Sequence, residues 1–117
     1  MSYKEEVHGD VYVLVIKGKL MGGSETTEIH DRVKELAAVG VKRVVLDLGQ
    51  VKWMNSSGLG ALMSSLTTMK NGGGDLRLSS VAEKVESLLM ITQLMKIFKT
   101  FENVDKAVKS FHDEKPA

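Results

Sequence analysis

The sequence predicts an α/β fold, a mixed sheet of roughly four to five strands with about four helices, on three observations. Segments of strand character alternate with amphipathic segments of helical period. The central run Arg43-Val44-Val45-Leu46-Asp47-Leu48 is apolar on both alternations, as in a strand covered on both faces of a sheet. The turn His8-Gly9-Asp10 joins the first two strand candidates as a hairpin, and parallel crossovers after it make the sheet mixed.

Taken in order, Tyr3 to Val7 reads as a short first strand and Val11 to Lys17 as a stronger second one. The glycines of Gly18-Lys19-Leu20-Met21-Gly22-Gly23 mark a loop, and Ser24 suits the N-cap of a helix that buries Ile29, Val33, Leu36 and Ala37. Gly40 ends that helix as its C′ residue. The strand Arg43 to Leu48 follows, and then a helix with Leu59, Leu62, Met63, Leu66 and Met69 on one stripe, stopping at Asn71-Gly72-Gly73-Gly74. Asp75 to Ser79 alternates Leu76 and Leu78 with polar residues as a fourth strand. Ser80-Val81-Ala82-Glu83 matches a capping box opening a third helix, with Val81, Val85, Leu88 and Leu89 inward. Ile97 to Phe101 suits a last strand, and Asn103 caps a helix burying Val104, Ala107, Val108 and Phe111.

At 117 residues, the chain suits one domain spanning 1–117 and is too short for two ordinary ones. With 43% hydrophobic and 26% charged residues it reads as globular throughout. The net charge of +1, from 16 basic and 15 acidic residues spread along the chain, argues against a nucleic-acid-binding face. Without cysteine there is no disulfide, thiolate metal site or cysteine nucleophile. The charged start and the lack of an apolar run near ~20 residues predict neither a signal peptide nor a membrane span, which makes the cytoplasm the default location.

The most informative stretch is Trp53-Met54-Asn55-Ser56-Ser57-Gly58-Leu59-Gly60-Ala61-Leu62, where a buried strand gives way to a helix. Two readings stand side by side. In one, Asn55, Ser56 or Ser57 simply caps the helix while Gly58 and Gly60 let it pack closely on the sheet. In the other, the cap-type residues exceed what capping requires, and two glycines in the first turns lower helix propensity by roughly 1 kcal/mol each. A phosphoserine there, carrying about −1.5 to −2 charge, would meet oriented N–H donors and the positive end of a helix dipole.

A second candidate surface is Ser87 to Met95, whose Met90, Ile91 and Met95 widen the apolar arc beyond what packing on a sheet ordinarily needs. It reads either as a crowded core or as part of a docking surface. In the second case Met90 and Ile91, together with Met21, Gly22, Gly23 and Ser24, surround Ser56 with Asn55, Ser57, Gly58 and Leu59. Trp53 is expected to pack beneath the loop. The three histidines, His8, His30 and His112, lack metal-ligand spacing, and no carboxylates suggest an acid/base pair, so no metal or cofactor is expected. Neither serine lies in Gly-x-Ser-x-Gly and no histidine is placed to activate one, which argues against an enzyme; the three-glycine run lacks the lysine of a P-loop.

The segments VVLDLGQVKWMNSSGLGAL, GGGDLRLSS and LMKIFKTFENVDKAVKSF resemble the STAS domain of bacterial anti-sigma-factor antagonists, over almost the whole chain. The resemblance implies a compact α/β domain that, unphosphorylated, binds an anti-sigma factor and frees a sigma factor. It implies as partners an anti-sigma factor that is also a serine kinase of GHKL type and a PP2C-type phosphatase, with neither membrane nor nucleic acid bound directly. The family's phosphoacceptor, the first serine of Asp-Ser-Ser/Thr-Gly, falls on Ser56. This chain has Asn55 where the family has aspartate, an amide that can cap but carries no charge. The resemblance also allows a STAS scaffold that is not phosphorylated, or a small subunit of a lipid-transport or signalling assembly.

Overall fold

The computed structural model describes residues 3–112. Five strands form one sheet in the order β1-β2-β3-β4-β5: β1 (Tyr3–His8), β2 (Val11–Leu20), β3 (Arg43–Met54), β4 (Asp75–Ser79) and β5 (Thr100–Phe101). β1 pairs antiparallel with β2, and the remaining neighbours are parallel, so the sheet is mixed. Helices α1 (Ser24–Ala38), α2 (Ser56–Asn71), α3 (Glu83–Ile91) and α4 (Val104–His112) complete the domain, with a short 3-10 turn at Leu94–Lys96.

Both sheet faces are covered, unequally. On one, Leu14, Ile16, Val44, Leu46, Leu76 and Leu78 meet Ile29 and Val33 of α1, Leu62 and Met69 of α2, and Val85 and Leu89 of α3. On the other, α4 alone lays Ala107, Val108 and Phe111 over Val11, Val13, Val15 and Val45. This is why β2 and β3 are apolar on both alternations.

Several boundaries differ from expectation. β2 and β3 run on to Leu20 and Met54, because parallel pairing continues to Leu20 opposite Met54. Between Val15 and Lys19, β3 inserts two extra residues against β2; the first bulge inverts the alternation, so that Val51 faces the core, and the second restores it before Met54. α1 starts at Ser24, and its N-cap is Gly23, without a side-chain cap. The expected capping box at Ser80 is absent: α3 begins at Glu83 after Ala82, and Ser80 takes a left-handed φ of 57°. The last strand shrinks to Thr100–Phe101, because the N–H groups of Ile97 and Phe98 donate to the Leu94 carbonyl and close the 3-10 turn instead of pairing in the sheet. Asn103 does cap α4, its Oδ1 accepting from the Lys106 N–H at 2.9 Å.

The C-termini of α1 and α2 close alike. The Val41 N–H donates to the Leu36 carbonyl, and Gly40 takes a φ of +90°. The Gly74 N–H donates to the Met69 carbonyl, with Gly73 at a φ of +82°. Each places a glycine where the backbone turns left-handed after the helix.

Candidate functional site: the start of helix α2

Two parallel strands ending in register deliver two loops to the same edge of the molecule. After Leu20, β2 feeds the loop Met21-Gly22-Gly23 and α1; after Met54, β3 feeds Asn55 and α2. The Asn55 N–H donates to the Leu20 carbonyl at 3.2 Å, tying the strand ends together.

Asn55 is the N-cap of α2, with its Oδ1 accepting from the Gly58 N–H at 3.0 Å. Its Nδ2 donates to the Met21 carbonyl at 3.1 Å. One amide side chain thereby satisfies an orphan donor of the helix and holds the neighbouring loop. Two glycines permit the approach. A Cβ on Gly58 would lie 2.0 Å from the Leu20 carbonyl oxygen, and one on Gly22, at a φ of +95°, would lie 2.7 Å from the Ser57 Cβ. Thr26, buried on α1, accepts from the Gly22 N–H at 3.0 Å and shapes the loop from below. Neither Thr26 nor the Leu20 carbonyl was identified from sequence, since a backbone oxygen has no residue signature and a helical threonine reads as filler.

Ser56 is the first residue of α2, and its side chain is exposed. Exposed beside it are Ser57, Met21, Gly22, Gly23 and Ser24. Gly58 and Leu59 are buried, Leu59 at 5% exposure, so they seat the helix from beneath. Gly60 has open space where a Cβ would go and takes no part in the close packing expected of it.

The expectation for Trp53 is overturned: its side chain is half exposed, at 53%. The bulges in β3 leave Val51 and Met54, three residues apart, against the core, and Lys52 and Trp53 project outward. The Lys84 ammonium lies 4.5 Å from the centre of the Trp53 ring. Met90 and Ile91 are both exposed, at 62% and 80%. Ile91 lines a cleft with Trp53 and Met54 next to Asn55, whereas Met90, one residue earlier and about 100° around the helix, does not line it.

Among the described residues no helix is long and apolar enough to cross a membrane. No cluster of His, Asp or Glu among them has the make-up to hold a metal ion.

The family profile of the STAS domain matches residues 3–107. The chain belongs to the STAS domain family. Among curated relatives of this STAS domain is a candidate anti-sigma factor antagonist of Thermotoga maritima, 31% identical over 70 residues. That stretch is 60% of this chain and 62% of the relative, less than two thirds of the relative's own length. Among solved structures, a candidate anti-sigma factor antagonist from Thermotoga maritima superposes with a TM-score of 0.84 at 25% identity, over 92% of each chain. The anti-sigma factor antagonist SpoIIAA has the same fold at 14% identity. Its unphosphorylated form gives a TM-score of 0.73 over 96% of this chain and 99% of its own. The phosphorylated form, from Bacillus, gives 0.75 over 93% and 98%.

Proposed function

We propose that this STAS domain is an anti-sigma-factor antagonist that works by partner switching in the cytoplasm. Unphosphorylated, it binds an anti-sigma factor that is also a GHKL-type serine kinase and so releases a sigma factor. The kinase phosphorylates Ser56, which blocks binding, and a PP2C-type phosphatase restores the binding form. The domain itself performs no catalysis. The docking surface is the start of α2 with Asn55, Ser56 and Ser57, the loop Met21 to Ser24, and the flank at Met90 and Ile91, with Gly58 and Leu59 seating the helix under it.

The observation that carries this reading is the placement of Ser56: an exposed hydroxyl at the first position of a 16-residue helix, beside a second loop held to the same cap residue. A kinase can reach it, and the helix dipole tolerates the charge it would gain. A hundredfold loss of affinity requires about 2.7 kcal/mol, which a dianion forced into a docked, partly dry surface supplies through desolvation and repulsion. No refolding of the domain is needed.

One observation favours a second reading, that of a STAS scaffold or small assembly subunit without phosphorylation. The Asn55 amide donates to the Met21 carbonyl, a bond an ionised aspartate cannot make, so the chain holds its loop without the family's carboxylate. Capture of the partner from native cytoplasm, with intact-mass analysis of bound and unbound pools, separates the two. Partner switching predicts a pool heavier by one phosphate in the unbound fraction. It also predicts that Ser56→Asp weakens binding about a hundredfold while Ser56→Ala binds constitutively, both with the parent circular dichroism. Equal affinity of all three forms removes Ser56 from the mechanism.

A further inference from the structure

A cleft of about 320 Å³ opens between the end of β3 and α3, walled by Trp53 and Ile91 and floored in part by Met54 and Leu88. Among the described residues lining it, the charged ones are Lys52 and Lys84, both cations. The helix produces this asymmetry. Lys84, Leu88 and Ile91 follow one another at i, i+4 and i+7 on one face, while Glu86 lies about 200° from Lys84 and lines a different cleft beside Glu102. The Lys84 ammonium rests on the indole face, so the apolar wall carries positive charge at its rim.

We propose that this cleft receives an apolar segment of the docking partner flanked by carboxylates. The proposal rests on the antagonist reading above and names what the partner presents. A half-exposed tryptophan and an isoleucine exposed at 80% are poorly placed for a monomer but suit a desolvated anchor site. Charge complementarity selects the flanks: a partner carboxylate gains from two lysines and meets no acidic residue among those lining the cleft. Position selects the partner. Met54 lines the cleft and Asn55 follows it, so a body docked over Ser56 reaches the cleft within two residues of the hydroxyl. The sign of the switch then follows, since a phosphate on Ser56 adds negative charge beside the surface that attracts carboxylates and repels the segment they flank.

Trp53 is the only tryptophan of the chain, so its fluorescence reports on the cleft alone. With the partner captured above and then purified, titration is expected to shift Trp53 emission to the blue and protect it from acrylamide. Lys52→Glu with Lys84→Glu is expected to weaken binding about tenfold or more, and Ile91→Asp comparably. Raising the salt from about 0.05 to 0.3 M slows association of the parent chain and has less effect on the lysine variant. A partner that binds with Trp53 still open to acrylamide, or with the double variant within about twofold of the parent, overturns the cleft assignment. If Ser56→Asp abolishes that same binding, the antagonist reading survives without the cleft. A partner indifferent to Ser56→Asp, or no partner at all, removes both.

Discussion

Asn55 shows how much one side chain decides at this site. Its oxygen caps α2 and its nitrogen holds the Met21 carbonyl, so the amide orients two loops at once. Asn55→Ala removes both bonds and is expected to cost about 1–2 kcal/mol in urea unfolding. Asn55→Asp keeps the cap but sets a carboxylate against the Met21 carbonyl. The expectation is a smaller loss of about 1 kcal/mol, together with amide shifts in Met21 to Ser24 visible by NMR. If both variants unfold like the parent and the loop signals stay in place, the clamp has no energetic role. The cap was legible in the sequence as a run of Asn and Ser before an apolar stripe. The second bond was not, because Met21 is 34 residues away and contributes only its backbone.

At the level of elements, the two early glycines of α2 have opposite fates. Gly58 lies against the Leu20 carbonyl with no room for a methyl group, whereas Gly60 faces open space. Gly58→Ala forces helix and strand apart and should destabilise by about 3 kcal/mol, with loss of partner binding as the helix start shifts. Gly60→Ala should instead gain up to about 1 kcal/mol from helix propensity, read as a higher urea midpoint. α3 carries a related feature at its end, where Gln93 adopts a φ of 63°. Replacement by glycine relieves that left-handed conformation and is expected to stabilise by about 0.5–1 kcal/mol in thermal unfolding. Helical period alone made Gly58 and Gly60 look equivalent, and only the packed sheet tells them apart.

For the molecule as a whole, the ties between layers set its response to acid. Glu5 on β1 accepts from the Arg32 Nε at 2.6 Å and from its second terminal nitrogen at 2.9 Å, joining the edge strand to α1. That hydrogen-bonded pairing holds the Glu5 carboxyl below its ordinary value of 4.5. The stabilisation is therefore present above pH 4.5 and is lost as the pH falls through the lowered folded value. Partial burial and the cation of Lys34 depress His30, so its contribution is likewise complete above 6.5 and declines on acidification. Glu5→Gln should cost about 0.5–1 kcal/mol at neutral pH and flatten the stability profile below pH 4.5, measured by urea midpoints across pH. An unchanged acid limb would show that the pair contributes nothing. On the α4 face, Arg77 is 2% exposed, lies 4.0 Å over the Phe111 ring and donates to Asp75 at 3.1 Å and Ser110 at 2.7 Å. Arg77→Ala should cost about 3 kcal/mol by removing both the stack and the charge pair.

The succession of strands and helices along the chain, the double burial of the central strand, the glycine stops and a cap within Asn55 to Ser57 were determined by the sequence itself. They rest on periodicity and backbone chemistry, which act over a few residues. Only the tertiary structure decided the strand order, the choice of Asn55 as the cap, and which outward-looking residues stay outward. Arg77 and Ser79 are the polar residues alternating with the leucines of β4, yet both are buried, Arg77 against Ser110 and Phe111 of α4, which arrives from the far end of the chain, and Ser79 with its hydroxyl on Asp47 of β3. Trp53 reads as core and is turned out: the second of two bulges measured against β2 cancels the phase change of the first, which sets Trp53 opposite Lys19 on the face away from Leu20 and Met54. Bulges and covering helices are relations between segments distant in sequence, so no local pattern encodes them.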